Sequence, residues 1–179
     1  MMSASSTSGT SSLTHLAIKD VKIMMTTTCK HSHPKEDREV LNPPPHDNWS
    51  SLKGLQALVI DDNLDALELT KIILEGYEME VQIADSASKG FKIFSELKPD
   101  ILICDITMPV EDGYSLIRKI RRLEVEQGGE TPAIALTAST RDEERILSLE
   151  AGFQIHLAKP FEIDNLITAV AQLTRPEKK

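Results

Sequence analysis

Side chains with carboxylate, hydroxyl or ammonium groups follow four short apolar runs of the sequence. Each run has the composition of a buried strand, and a polar group at its end is costly to bury without a partner or a function. Three aspartates brought close together would force one of them to keep a proton unless a cation lay between them. The residues are Asp61 and Asp62 after the first run, Asp105 and Thr137 at the ends of two later runs, and Lys159 after the last.

Oxygen ligands of this kind favour Mg²⁺, which binds one or two carboxylates together with water. Lys159 would add a compact positive charge, and Thr137 would add a neutral hydroxyl donor. Such a site suits a phosphoryl group, because the metal and the ammonium group would neutralise its negative charge. Asp105 would then be the nucleophile and would form an acyl phosphate.

The segments that must position these residues alternate between strand and helix patterns. Short apolar or alternating runs predict strands, and apolar residues at helical spacing predict helices between them. This strict alternation is typical of an α/β fold, in which helices cover both faces of a parallel sheet. Function in such sheets collects at the carboxyl ends of the strands, so the five side chains should meet at one edge. The predicted strands are 55–60, 80–84, 100–105, 133–138 and 153–158, and the predicted helices are 64–75, 86–97, one around 116–123, 140–151 and 163–173.

The composition divides the chain into a tail and one acidic domain. Residues 1–52 are rich in Ser, Thr and Pro, and we expect a disordered tail that ends in a Pro-rich linker. Residues 53–175 should form the folded domain, followed by a short tail at 176–179. Five acidic and five basic side chains balance in the first segment, so the net charge of −8 belongs to the rest of the chain. An acidic domain repels phosphates, and we therefore expect no direct contact with nucleic acid.

Cysteine usage and hydropathy bear on where the protein works. Cys29 and Cys104 lack the spacing typical of a disulfide framework or a zinc site, which fits a reducing cytoplasm. No apolar run approaches the roughly 20 residues that a membrane span needs. We therefore predict a cytoplasmic location and no membrane span.

Four motifs resemble, in order and spacing, those of response-regulator receiver domains of two-component phosphorelay systems, the CheY-like family. They are VIDDN, DILICDITMPVEDGYSLIRKIR, AIALTA and HLAKPF, and the resemblance extends from residue 55 to about residue 173. It implies a doubly wound, five-stranded parallel sheet of the flavodoxin-like or CheY-like type, with strand order 2-1-3-4-5. It also implies a signalling domain rather than an enzyme, with slow self-phosphorylation and self-dephosphorylation at most.

The resemblance implies a metal-dependent phosphoacceptor site. Asp105 would accept a phosphoryl group from a histidine kinase or a histidine phosphotransfer protein. Asp62, Asp105 and the backbone carbonyl of Thr107 would bind Mg²⁺, or Mn²⁺, directly. Asp61 would act on the metal mostly through water.

Three further residues match the phosphate clamp and the switch of the family, and a fourth departs from it. Lys159 would pair with the phosphoryl group, and its peptide bond to Pro160 would be cis. Thr137 would swing toward the phosphoryl group on activation. Receiver domains usually have Tyr or Phe three residues before the lysine, whereas this chain has His156, whose imidazole titrates near neutral pH. His156 is either a hydrogen-bonded strand-end residue or a pH-sensitive part of the switch.

The resemblance implies a phosphorylation switch that acts through protein contacts. In related domains the output face is built from the fourth helix, the fifth strand and the fifth helix, and we expect no separate output domain after that helix. Two alternatives stay open. One is a relay intermediate or phosphate sink, including the C-terminal receiver of a hybrid histidine kinase. The other is a metal-dependent phosphohydrolase with an aspartyl nucleophile, although such enzymes typically place a second acid two residues later, where this chain has Thr107.

Overall fold

The computed structural model describes residues 51–139 and 141–174. These residues form a five-stranded, fully parallel sheet in the predicted order β2-β1-β3-β4-β5, with helices on both faces. The strands are β1 Gln56–Ile60, β2 Glu80–Ala84, β3 Ile101–Asp105, β4 Ala133–Thr137 and β5 Ile155–Ala158. The helices are α1 Leu64–Glu75, α2 Ala87–Leu97, α3 Gly113–Ile120, α4 Asp142–Ala151 and α5 Ile163–Thr174, and a short 3₁₀ turn covers Val125–Gln127.

The central strands are buried because their side chains are apolar on both faces. Every residue of β3 and β4 is buried, and β1 is buried from Ala57 onward. Nearly continuous apolar strands are expected in the middle of a parallel sheet, where helices cover both faces. β2 lies at one edge of the sheet and mixes exposed with buried positions. The order places β1 and β3, whose ends carry the aspartates, side by side.

The register brings the ends of neighbouring strands level with one another. The last residue of β1 pairs with the residue before Asp105 in β3, so Asp61 and Asp105 occupy adjacent positions. Thr137, the last residue of β4, pairs with Ala158, the last residue of β5, and Lys159 follows directly. The chain segments that carry these polar residues therefore end along one edge of the sheet.

Side chains alternate between two apolar cores, one on each face of the sheet. Ala57 and Val59 belong to the core that α1 and α5 cover, whereas Leu58 and Ile60 belong to the core that α2 and α3 cover. A slip of one residue would turn each of these side chains to the opposite face, so the two cores define the register. Leu52, which the sequence assigned to the linker, is fully buried in the first core. Residues 1–50 of the predicted N-terminal tail, and the predicted tail at 176–179, lie outside the described residues.

Helix ends follow the sequence signals in some places and depart from them in others. The side chain of Asn63 caps α1 by accepting hydrogen bonds from two backbone N–H groups, and Gly76 ends the helix as predicted. Ser86 occupies the N-cap position of α2, but its side chain makes no capping hydrogen bond. The predicted start of α4 at Thr140 lies outside the described residues, and that helix ends before Gly152, whose φ of 118° suits glycine.

The longest helices in the ranges 51–139 and 141–174 have 12 residues. None of the helices in these ranges has the length and apolar character needed to cross a membrane.

Gly113 lies against the end of β3 that carries Asp105. A Cβ atom at position 113 would overlap the backbone carbonyl oxygen of Asp105 and would lie 2.9 Å from the Cα atom of Ile106. Because backbone atoms cannot move aside without distorting the strand, we expect Gly113→Ala to lower the free energy of unfolding by about 1–3 kcal/mol. Urea denaturation of the full chain measures this change.

Gly76→Ala is the matched control for this prediction. Gly76 is exposed and has right-handed helical backbone angles, which alanine adopts readily. We expect that substitution to leave stability unchanged or to raise it by up to about 1 kcal/mol. Equal destabilisation by the two substitutions would contradict the role given to Gly113.

Candidate functional site

Three carboxylates meet at the carboxyl ends of β1 and β3. Asp61 follows the last residue of β1 and is 1% exposed, and Asp105 ends β3 and is 6% exposed. Asp62 is exposed to solvent beside them. One carboxylate oxygen from each of the three residues lies within 4.8 Å of the other two. The structure therefore brings together the acids that the sequence predicted to converge.

Lys159 extends from the end of β5 into this cluster. Its Nζ atom lies 2.5 Å from Oδ2 of Asp61 and 3.1 Å from Oδ1 of Asp105. The peptide bond between Lys159 and Pro160 is cis. One ammonium group thus contacts two largely buried carboxylates from two different strands.

Burial and neighbouring charges oppose each other at this cluster. Burial raises the pKa of Asp105, and the charge of Asp61 adds to this effect, whereas the nearby Lys159 only partly counteracts it. Burial would lower the pKa of Lys159, but its hydrogen bond to Asp61 and the charges of both aspartates outweigh burial and raise it. Burial is the largest of these effects, so Asp105 keeps a raised pKa despite its ion pair with Lys159. Additional positive charge would favour the ionised form of Asp105.

The donor atoms fit a hard divalent cation. The three aspartates offer carboxylate oxygens, which are the ligands that Mg²⁺ and Mn²⁺ prefer, and Asp62 is open to solvent. A hydrogen bond from the backbone of Thr107 favours the ionised form of Asp105, but its effect on the pKa is smaller than that of burial. The role of the Thr107 carbonyl as a metal ligand stays a prediction.

Thr137 is buried at the end of β4, and its hydroxyl is directed to α4. The hydroxyl donates a hydrogen bond to Oε2 of Glu144 at 3.1 Å. The same oxygen accepts a hydrogen bond from the backbone N–H of Ser139 at 3.1 Å. The side chain that the sequence placed with the aspartates and Lys159 is therefore bound to a helix in this structure.

His156 lies in β5, half-buried against α4. Its Nδ1 atom lies 3.1 Å from the hydroxyl oxygen of Ser148, a fully buried residue of α4. Burial lowers the pKa of His156, and the positive charge of Arg145 acts in the same direction. A hydrogen bond to the backbone of Ser139 and the negative charge of Glu144 oppose this shift only in part. His156 contacts the helix rather than the acidic cluster, and any part it has in a switch stays a prediction.

Sequence reasoning missed the hydrogen-bonded residues on the helices beside the site. Ser148 donates from its hydroxyl to the backbone carbonyl of Glu144 at 2.7 Å, and the hydroxyl of Tyr114 in α3 lies 3.4 Å from the same carbonyl. The position of Glu144 in the first turn of a predicted helix after Thr137 was the available signal. Whether Glu144 reaches Thr137 depends on the orientation of the helix, which the sequence pattern of the helix does not determine.

Comparison with known proteins points to one family. Residues 57–171 of this chain match the response regulator receiver domain family. A protein of Leptolyngbya boryana, known as an uncharacterized 14.6 kDa protein, is 36% identical over 122 residues, and the match covers 68% of this chain and 92% of that protein. Hybrid signal transduction histidine kinase D of Dictyostelium discoideum is 32% identical over 140 residues, and the match covers 74% of this chain but 9% of the kinase.

Solved structures show the same likeness. One described as a response regulator from Chloroflexus aurantiacus J-10-fl has a TM-score of 0.64 and 32% sequence identity, and the match covers 68% of this chain and 98% of that one. The chain spans about half the length of two bacterial transcriptional regulators that it also matches. The shared region is the folded part that contains the acidic cluster.

The lowered pKa of His156 predicts a component of the pH dependence of stability. The unfolded chain binds a proton at this histidine at higher pH than the folded domain does, so the stabilising contribution is complete above the ordinary pKa of 6.5 and is lost as the pH falls through the folded value. The wild-type chain should therefore lose more stability than His156→Gln between about pH 7.5 and about pH 5. Urea denaturation of both proteins at the two pH values measures the difference.

The comparison of the two proteins cancels the titration of the aspartates, which both retain. The same loss of stability in wild type and His156→Gln would contradict the lowered pKa. A larger loss in the variant would contradict its sign.

Proposed function

Because the chain belongs to the response regulator receiver domain family, we propose that it is a phosphorylation switch whose phosphoacceptor is Asp105. The phosphoryl donor would be a histidine kinase or a histidine phosphotransfer protein. The observation that carries this proposal is the meeting of Asp61, Asp62 and Asp105 with Lys159 at the carboxyl ends of three strands. Receiver domains are signalling domains, and the residues gathered here suit phosphoryl transfer.

Phosphoryl transfer to Asp105 would require the protein to position the reacting groups and to neutralise their charge. It would not require a second nucleophile. A carboxylate oxygen of Asp105 would form a bond to phosphorus while the bond from phosphorus to the imidazole nitrogen of the donor breaks. The electron pair of the broken bond would stay on the imidazole. Lys159, already 3.1 Å from Asp105, would neutralise part of the charge on the transferred group.

The aspartate cluster would also hold a divalent cation. Asp61, Asp62, Asp105 and the backbone carbonyl of Thr107 are the proposed ligand set, directly or through water, for Mg²⁺ or Mn²⁺. When bound, the cation supplies positive charge to the phosphoryl oxygens. The crowding of three carboxylates and the raised pKa of Asp105 support this proposal, since both are relieved by a cation.

The output of the switch would be a protein contact at the face built from α4, β5 and α5. Three large apolar side chains of α4 are exposed on that helix, namely Ile146, Leu147 and Leu149. Exposed apolar side chains of this kind are common at protein contacts. The phosphoryl group would bias a two-state equilibrium of this face.

A relay role is the second candidate, and one relative favours it. The matched part of the Dictyostelium discoideum protein belongs to a hybrid histidine kinase. The acceptor chemistry is the same in both roles, so the two candidates differ in the onward partner. A phosphohydrolase receives less support, because Thr107 occupies the position of the second acid. Slow self-phosphorylation and self-dephosphorylation, and the cytoplasmic location, stay predictions.

Phosphoryl uptake by Asp105 is directly measurable. We expect one added phosphoryl group in the intact-protein mass after incubation of the full chain with acetyl phosphate and Mg²⁺. The adduct should be absent in Asp105→Asn and should disappear from wild type when EDTA removes the metal. Glu96→Gln is the matched control, because it makes the same carboxylate-to-amide change at an exposed position at the far end of α2.

An adduct that forms on Asp105→Asn as readily as on wild type would exclude Asp105 as the acceptor. An adduct that is indifferent to EDTA would exclude the metal requirement. If the folded wild-type chain takes up no phosphoryl group and binds no beryllofluoride, the proposed function is wrong.

A further inference from the structure

The hydroxyl of Thr137 has one proton, and that proton already has an acceptor. It is donated to Oε2 of Glu144, while the second hydrogen bond of the hydroxyl oxygen comes from the backbone N–H of Ser139. Thr137 is 1% exposed, so water has little access to replace either partner. A hydroxyl cannot donate its single proton to two acceptors at once. Thr137 can therefore donate to a phosphoryl group on Asp105 only after it leaves Glu144.

Glu144 is presented to Thr137 from a well-anchored backbone. Its carbonyl accepts a hydrogen bond from the buried hydroxyl of Ser148 at 2.7 Å, and the hydroxyl of Tyr114 lies 3.4 Å away. These contacts tie the first turn of α4 to its own next turn and to α3. The backbone of Glu144 is therefore held in place, and its side chain is the part that can move.

The surroundings allow the carboxylate to be released at modest cost. An open cavity of about 480 Å³ is lined by Thr107, Thr137, Ala138, Ser139, Arg141 and Glu144. A side chain that turns into this space regains water. The free-energy difference between bound and released Glu144 should therefore be that of an ordinary exchanged hydrogen bond, rather than that of a buried unpaired charge.

We propose that Glu144 is a positioning residue that holds Thr137 in the unphosphorylated arrangement and sets how readily the phosphorylated arrangement forms. This inference rests on the proposed function, because it needs a phosphoryl group on Asp105 as the competing acceptor. Removal of Glu144 leaves the hydroxyl without its resting partner. The free-energy cost of moving Thr137 into the phosphorylated arrangement then falls, and ligands that mimic the phosphoryl group bind more tightly.

The test measures the affinity of the full chain for beryllofluoride in the presence of Mg²⁺ by calorimetric titration. We expect Glu144→Ala to lower the dissociation constant by about three- to tenfold, the range of one net hydrogen bond. Glu144→Gln keeps an acceptor oxygen without the charge and should fall between wild type and Glu144→Ala. Glu143→Ala, which removes an exposed carboxylate from the same helical turn, should leave the dissociation constant near the wild-type value.

Repeating the measurement in a Thr137→Ala background distinguishes loss of the Thr137–Glu144 hydrogen bond from the general effect of removing a negative charge. In Thr137→Ala the hydroxyl is gone, so adding Glu144→Ala should change the dissociation constant very little. The same tightening in both backgrounds would overturn the inference, because it would show that loss of negative charge acts without Thr137. Tightening by Glu143→Ala as large as that by Glu144→Ala would overturn it for the same reason.

Urea denaturation of the four proteins of this cycle tests the contact without any phosphoryl analogue. The double variant should be destabilised by less than the sum of the two single variants, because each single change already breaks the same hydrogen bond. Additive losses would overturn the inference. If Glu144→Ala binds beryllofluoride with the same dissociation constant as wild type, the inference about Glu144 is wrong but the proposed function stands. If the wild-type chain binds no beryllofluoride, both the proposed function and this inference are wrong.

Discussion

The ammonium group of Lys159 lies between the carboxylates of Asp61 and Asp105, and much of the surrounding structure serves to hold the three together. Taking two carboxylates out of water is expensive, and a single ammonium group offsets only part of that cost. The raised pKa of Asp105 is the sign of the imbalance. Buried ion pairs of this kind contribute little net stability. The arrangement of the cluster therefore fits a binding site for additional positive charge and for the phosphoryl group of the proposed function.

The sheet order is what makes this cluster possible. Asp61 and Lys159 are 98 residues apart in sequence, yet the order β2-β1-β3-β4-β5 ends their strands along one edge on either side of Asp105. Two apolar cores define the register and therefore keep the polar ends level. The close approach of Gly113 to the backbone of Asp105 then limits how far the end of β3 can move. Packing far from any charge thus determines the distances within the charged site.

The hydroxyl groups of Thr137 and Ser148 connect β4 and β5 to α4. Thr137 donates to Glu144, and Ser148 bridges the backbone of Glu144 and the ring of His156. Such hydrogen bonds are individually weak and can be exchanged without leaving a buried charge unpaired. They join β4 and β5 to α4, the helix whose exposed apolar side chains form the proposed contact surface.

The sequence by itself determined the architecture and the membership of the acidic cluster. Apolar runs with strand and helix periods reflect burial, which is a local property of each segment, and the ends of parallel strands always meet at one edge. Asp61, Asp105 and Lys159 follow such runs directly, so their meeting could be predicted. The bounds of α1 and β2 agree with the predicted ranges. β5 begins at Ile155 rather than at residue 153, because the backbone N–H of Phe153 donates to the carbonyl of Ser148 in α4.

Tertiary structure alone decided the partners of Thr137 and His156. Glu144 contacts Thr137 because α4 packs at a particular rotation and distance, and no local pattern encodes those two quantities. The pKa of His156 is likewise set by burial and by charges on α4, which belong to the folded molecule and not to the imidazole. Residue type identified the groups that can react or titrate, and the packing of helices against the sheet decided which of them touch.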